Sequence, residues 1–301
     1  MSRPRLVVLR WAAVLAVLAA ALLATQAAIE ATGYPVRELA TRVPHTTAFM
    51  RAREAAARLE NRRLRIDQRW IPYERISPLL RRAVLVAEDD AFFTHGGLDW
   101  NEIQASARRN LEAGRIIRGG STVTQQLARN LYLGDERTLS RKLKEAFVAL
   151  RIERALTKRR IFELYLNLIE WGDGIYGAEA AAQRYFGVSA AGLGPREAVL
   201  LAAVIINPRR YSPLDPGRRI ERRVRLIASR LRRRGDLGEE EYRLAIAAPL
   251  PPAPVGSTPA GPDSTAVDSL GFGPGPAAPD SSGAPDAGAG TAAPDSTAPG
   301  P

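Results

Sequence analysis

Residues 6–29, LVVLRWAAVLAVLAAALLATQAAI, are apolar almost without a break, and no charge falls between Trp11 and Ile29. A run of that size is about long enough to cross a bilayer core. Arg3, Arg5 and Arg10 lie on its N-terminal side, so the positive-inside rule places residues 1–10 in the cytoplasm, 11–29 across the membrane as a signal-anchor, and the rest outside. Small residues over Ala24–Ala28 keep a cleaved signal peptide open as the alternative. Further along, apolar positions recur with helical spacing. Ser77-Pro78 is an N-cap followed by Pro at the first helical position, opening a helix to about Asp89 with Leu79, Leu80, Ala83 and Ala87 as its stripe. Thr138 or Ser140 opens a helix to about Leu156. Thr157 caps IFELYLNLIEW, where Ile161, Leu164, Tyr165 and Leu168 share a face. Residues 178–186 and 195–206 also read as helices, and Ile220, Val224, Ile227 and Leu231 give a last amphipathic helix with arginines on its other face. Only RLRIDQRWIPY, 63–73, looks extended. The fold expected is mainly α with a small β element at most.

The C-terminal stretch changes character. Residues 249–301 are Pro, Ala, Gly, Ser, Thr and Asp, with PDST or PDSS recurring, and too few apolar residues to seed a core, so this tail is expected to be disordered. It holds five Asp and no Lys or Arg; the chain's net charge is +11, which leaves residues 1–248 at +16. That surplus fits anionic partners such as lipid headgroups or phosphates. With no cysteine there is no disulfide, thiol nucleophile or Cys-ligated zinc, and two histidines, His45 and His95, exclude a His-rich metal site. The organisation expected is a membrane-proximal linker or helix over 30–62, one catalytic domain over 63–248 and the tail over 249–301.

Three stretches carry candidate chemistry. RGGSTVTQQLARN, 118–130, combines two glycines, three hydroxyls, three carboxamides and two arginines with no acid, which suits an anion. VAEDDAFFTHGGLD, 86–99, clusters acids at the end of an apolar helix. Glu88, one turn beyond Val84 at the margin of the stripe, is a partly desolvated carboxylate with a pKa moved toward proton transfer, or else the start of a solvated loop. In 137–156, Leu139, Leu143, Phe147 and Leu150 form one face that reads as ordinary core, while Arg141, Glu145, Val148 and Ile152 form the opposite one. Val148 and Ile152 favour an enclosed Arg141–Glu145 pair over an exposed i,i+4 bridge. A base, a second paired carboxylate and a donor-rich loop suit glycosyl transfer with a phosphorylated leaving group.

Five blocks, in order over about 70–215, resemble glycosyltransferase family 51, and most closely its monofunctional biosynthetic peptidoglycan transglycosylases. Glu88-Asp89 with Phe92, His95 and Gly97 resembles E-D-x-x-F-x-x-H-x-G, and Gly119–Leu131 resembles G-G-S-T-I-T-Q-Q-L-x-K-N-L. RKLKE, 141–145, resembles R-K-x-x-E; KRRIFELYLN, 158–167, resembles K-x-x-I-L-E-x-Y-L-N; and 170–187 with NPRRYSP, 207–213, resembles the closing block. The resemblance implies a lysozyme-like helical domain with a smaller membrane-proximal lobe, polymerising lipid II into β-1,4-linked glycan with inversion and release of undecaprenyl diphosphate, in cell wall biogenesis and cell shape. It implies Glu88 as catalytic base and Glu145 as the second essential carboxylate. Ser121, Gln125, Arg129, Arg137 and Arg141 are implied as substrate and diphosphate ligands, supported by Asp89, His95, Gly119, Gly120, Thr122, Gln126, Asn130, Lys142 and Asn167. No tightly bound cofactor is expected, but a divalent cation (magnesium or manganese) at the diphosphate is, with Glu145 as its candidate ligand. Partners expected are lipid II, the growing glycan, the inner membrane and other cell-wall synthesis or division proteins, with no nucleic acid, and the catalytic domain is expected on the periplasmic face.

Two positions depart from the family pattern. Arg129 stands where lysine is usual, keeping charge but replacing a point donor by a planar fork. Arg159 and Arg160 stand where acids are frequent. The S-x-x-K and K-T-G motifs of the transpeptidase domain in bifunctional relatives are absent from this sequence, so no transpeptidase activity is expected. His95 is expected to fix the loop after Glu88, and Trp171 and Tyr185 to be core. Leu98, Trp100, Ile103, Ile116 and Ile117 are read either as a membrane-facing surface or as core.

Overall fold

The computed structural model describes residues 3–114, 120–134 and 138–247; the expectations placed on Ile116, Ile117, Gly119, Arg137 and the 249–301 tail lie outside them. The apolar N-terminal run is one helix, α1 (Arg3–Thr32). Within it Val14–Thr32 has a mean hydropathy of 1.9, the one helical stretch among the described residues long and apolar enough to cross a membrane. Its last turns enter the domain, where Ala27 and Ala31 are buried. Next comes α2 (Ala48–Leu59), opened by Thr47, whose hydroxyl accepts the Met50 N–H at 3.1 Å. Of the extended stretch 63–73, only β1 (Asp67–Gln68) is strand.

The part that follows is built from helices that begin where the sequence supplies caps. Ser77 caps α3 (Pro78–Glu88), and Asp99 accepts the Glu102 N–H at 2.9 Å to open α4 (Trp100–Glu112). Thr122 and Gln125 exchange hydrogen bonds as a capping box for α5 (Val123–Ala128). That helix runs into a π-helical turn, Arg129–Leu133, closed by the Gly134 N–H on the Arg129 carbonyl at 3.1 Å. Thr138 and Thr157 cap α6 (Leu139–Ala155) and α7 (Lys158–Leu168).

The IFELYLNLIEW run does not stay helical to its end. Ile169 turns extended, and β2 (Glu170–Gly172) and β3 (Ile175–Tyr176) form a hairpin that continues the sheet. The order is β1-β3-β2, with β1 parallel and β2 antiparallel to β3. Gly174 takes φ +74° at the turn, where a Cβ would also meet the Arg65 carbonyl at 2.4 Å, so glycine is required there. Four helices complete the described residues: α8 (Ala178–Phe186), α9 (Pro195–Val204), α10 (Gly217–Arg233) and α11 (Glu239–Ile246).

One core joins these elements. α3 packs on α9 and α10, α5 lies between α6 and α7, and α6 runs along the end of α1. Trp171 and Tyr185 are core residues. On α6 the expectation of an ordinary core face at Leu139, Leu143, Phe147 and Leu150 needs correction. Leu139 is 70% exposed and the other three are half-buried, whereas Glu145, Val148, Ala149 and Ile152 are buried. The reason is the order of layers: the Glu145 face looks inward, while the other face borders solvent and α1. The β2–β3 hairpin is held to α2 by Arg53, which pairs with Glu170 and Asp173 and is itself buried.

Candidate active site

Glu88 is the last residue of α3, and its position follows from the capping at both ends of that helix. A cleft of about 210 Å³ opens beside it, bordered by Glu88, Asp89, Asp90, Asp99, Glu102, the Gly120–Thr122 strand of the donor-rich loop, and Arg230. The Glu88 side chain is 13% exposed. Its two oxygens are held by different elements: Arg223 of α10 donates to Oε1 at 2.8 Å, and Gln126 of α5 donates to Oε2 at 3.2 Å. Burial pushes the Glu88 pKa above its ordinary value, against the opposing pull of Arg223, Gln126 and the nearby charge of Arg129.

Asp89 turns away from solvent and organises the loop. Its carboxylate accepts the Val123 N–H at 2.9 Å and faces His95 Nε2 at 3.0 Å. His95 Nδ1 accepts the Gly97 N–H at 3.1 Å, so Nε2 carries the ring proton and donates it to Asp89. The Thr122 hydroxyl then donates to the Gly97 carbonyl at 2.6 Å. In this way the acid cluster and the donor-rich loop are fastened to each other. A second layer supports them: Glu153 accepts the Thr124 hydroxyl at 2.5 Å and the Lys158 ammonium at 2.8 Å.

The cationic group lies on α6 and the π-helical turn. Glu145 is 3% exposed and is clamped by Arg141, at 2.5 Å, and by Lys142. Lys142 also reaches Ser121 Oγ at 2.7 Å, which ties the donor loop to α6. The buried Nε–H groups of Arg129 and Arg141 have no hydrogen-bond partner among the described residues.

The other expected residues fall into place around this frame. Gln125 is buried and gives its side-chain oxygen to the Thr122 N–H at 3.0 Å, so it shapes the loop from within. The Asn130 amide donates to the Gln126 carbonyl at 2.8 Å. Asn167 lies in the scaffold, exchanging hydrogen bonds with both backbone groups of Ile71. Gly120 packs so closely on α4 that a Cβ would come within 3.3 Å of Ile103 Cα.

Both oxygens of Glu145, the candidate cation ligand, accept hydrogen bonds, from Arg141 and from Lys142, and among the described residues no group of three His, Cys, Asp or Glu side chains could hold an ion.

Arg223 and Arg230 were not singled out from the sequence. They lie seven apart on α10, beside the buried stripe, and both reach over to the end of α3; Arg230 donates to the Val86 carbonyl at 3.5 Å. The i,i+7 spacing next to Val224 and Leu231 was the available signal. Tyr165, a core position that also matches the tyrosine of the fourth block, donates its hydroxyl to Gln126 Oε1 at 3.1 Å.

A desolvated carboxylate facing a cleft, with a cluster of cations on the adjoining helix, suits an enzyme that transfers a group. The chain belongs to the transglycosylase family: that family's model matches residues 55–232. It is 47% identical over 189 residues to the biosynthetic peptidoglycan transglycosylase of Methylobacillus flagellatus, covering 63% of this chain and 82% of that one. Similar relatives of the same name occur in Nitrosospira multiformis, at 45% over 188 residues, covering 62% of this chain and 82% of that one, and in Azoarcus sp., at 50% over 171 residues, covering 57% and 74%.

Proposed function

We propose that this chain is a peptidoglycan glycosyltransferase that polymerises lipid II. Glu88 removes the proton from the 4-hydroxyl of the N-acetylglucosamine of an incoming lipid II. The freed oxygen attacks the anomeric carbon of the N-acetylmuramic acid at the reducing end of the growing strand, the C1–O bond to phosphate breaks, and the configuration inverts. The electron pair leaves with undecaprenyl diphosphate, whose charge is taken up by Arg129, Arg141, Lys142 and the Ser121 hydroxyl. Arg137 is assigned to the same group from the sequence resemblance.

One observation carries this reading: a desolvated carboxylate, Glu88, borders the same cleft as the Gly120–Thr122 segment, whose Ser121 hydroxyl is tied to Lys142 in the Arg141–Lys142–Glu145 cluster. A raised pKa makes the carboxylate a better base once ionised, and the cations of α6 supply charge complementary to a departing diphosphate. Any divalent cation is assigned to the diphosphate, beside Glu145, whose carboxylate accepts from Arg141 and Lys142. Glu145 acts by holding those two cations in place.

The reading extends to location. The α1 span anchors the chain in the cytoplasmic membrane, the arginines before it keep the N-terminus inside, and the catalytic domain faces the periplasm, where it serves cell wall growth and cell shape beside other wall-synthesis proteins. The test is a gel-resolved polymerisation assay with labelled lipid II on the full chain in detergent, beside Glu88→Gln. Glycan ladders from wild type and none from the folded variant are expected; ladders from both would remove Glu88 from the role of base.

A further inference from the structure

We infer that Tyr165 is a positioning residue for the base: its hydroxyl fixes the side-chain amide of Gln126 in the one orientation that presents N–H to Glu88. This rests on the assignment of Glu88 as the base. Gln126 bridges two groups with opposite needs. Its Nε2 donates to Glu88 Oε2 at 3.2 Å, and its Oε1 accepts the Tyr165 hydroxyl at 3.1 Å. A carboxamide can present either end, and the reversed amide would set its oxygen lone pairs against the carboxylate. A phenol on the far side makes the productive end the satisfied one.

The surroundings make that hydroxyl a fixed donor. Tyr165 is fully buried on α7. Burial foremost, then the negative charge of Glu88, pushes its pKa well above the ordinary phenol value, so it stays protonated wherever Glu88 titrates. Glu88 is faced by Arg223 and Arg230 from α10, Arg129 from the π-helical turn, Gln126 from α5, and its own neighbours Asp89 and Asp90, with His95 held behind Asp89. Arg223 holds Oε1, so the Oε2 side depends on Gln126. Without the Tyr165 hydroxyl, the Gln126 oxygen is buried without a donor in the productive orientation. It gains one only by turning toward a protonated Glu88. Loss of the hydroxyl therefore favours the protonated base.

The experiment is the pH dependence of kcat for lipid II polymerisation by the full chain, as wild type, Tyr165→Phe, Gln126→Met and the double variant, with thermal unfolding as the check on folding. Tyr165→Phe should move the acid limb upward by about half to one pH unit, the equivalent of one neutral hydrogen bond, with the high-pH plateau reduced much less. In the Gln126→Met background the same change should leave the limb where Gln126→Met alone puts it. An unmoved limb in Tyr165→Phe, or a shift that persists undiminished without Gln126, overturns the proposal. Should the phenylalanine variant fail to fold, a monofluorinated tyrosine installed at 165 keeps the ring and strengthens the donor, and its limb should move downward; no shift, or a shift upward, overturns the proposal equally. If Glu88→Gln retains activity, the base assignment falls on its own. The Tyr165 proposal is then decided by the Glu88 carboxyl titration, read by carbon-13 NMR in wild type and Tyr165→Phe.

Discussion

Arg223 is the strongest single influence opposing the protonation of Glu88, and removing it should move the enzyme's pH profile by an amount the geometry bounds. Its Nη2 sits 2.8 Å from Glu88 Oε1 and 3.2 Å from the Ala87 carbonyl, on side chains that are mostly enclosed. Burial already lifts Glu88 above 4.5, and Arg223 is foremost among the groups that pull it back. A hydrogen bond to a charged partner contributes about 1.5–3 kcal/mol. At about 1.4 kcal/mol per unit, Arg223→Leu should raise the Glu88 pKa by a further ~1–2 units. Arg129 remains nearby and keeps the shift from growing larger. Because Glu88 accepts a proton only when ionised, the acid limb of kcat moves up by the same ~1–2 units, a rate loss of about 10- to 100-fold at any pH on that limb. Activity should recover toward the wild-type plateau in more alkaline buffer. Arg223→Lys keeps the charge but cannot hold Glu88 and Ala87 at once, so its limb should lie between the two. Initial rates of labelled lipid II consumption across pH, on variants shown to melt cooperatively, read this directly. A limb that stays in place or moves down in folded Arg223→Leu would refute the electrostatic account of the site.

Two further outcomes follow from burial. The folded chain holds a proton on Glu88 over the window between 4.5 and its raised native pKa, where the unfolded chain has released it, so ionising Glu88 costs stability as pH rises through that window. Glutamine mimics the protonated form, so Glu88→Gln should melt higher than wild type at neutral pH, with the gap closing as pH falls below the ordinary glutamate value; a gap independent of pH would count against it. Glu145→Gln leaves Arg141 enclosed without its counter-charge and should cost about 3 kcal/mol in denaturant unfolding, with a raised KM for lipid II as Lys142 and Ser121 lose their common tether. Unchanged stability would show that Glu145 does not hold the cations together.

Local chemistry was the legible part of this fold. The caps at Ser77, Thr138 and Thr157 are where the hydroxyl residues announce them, because a cap is decided within four residues. α4 carries apolar residues at helical spacing, Trp100, Ile103, Ala107 and Leu111, but that stripe is not core: only Ser106 is buried, while Trp100 is 62% and Leu111 84% exposed. The β2–β3 hairpin was hidden in the sequence. Its two short strands are almost wholly buried, leaving no alternation to see. Glu88, Glu145 and the donor loop could be picked out from types and spacing, but their partners could not. Arg223 is 135 residues from Glu88, and which of the arginines on α10 reaches the base depends on how that helix packs against α3.

The same packing bears on how a soluble-looking domain can work on a lipid-borne substrate. The end of α1 is bolted to α6: Lys144 pairs with Glu30, and the Arg151 guanidinium donates to the Ala31 carbonyl. α6 is also the helix that presents Arg141 and Lys142. At 1.5 Å per residue, Arg141 lies about 15 Å along the axis from Arg151, and Lys144 lies between them. Arg141 and Lys142 are thus rigidly spaced from the end of the apolar helix α1. On the function proposed, the height of the donors above the membrane is set by a helix rather than by a tether. A lipid diphosphate lies at the headgroup level and cannot rise to meet a badly placed site without exposing its tail, at about 0.8 kcal/mol per CH₂. Inserting flexible residues between Thr32 and Val36 should therefore impair polymerisation in proportion to the freedom gained, even though the membrane-spanning segment and every residue at the cleft are unchanged.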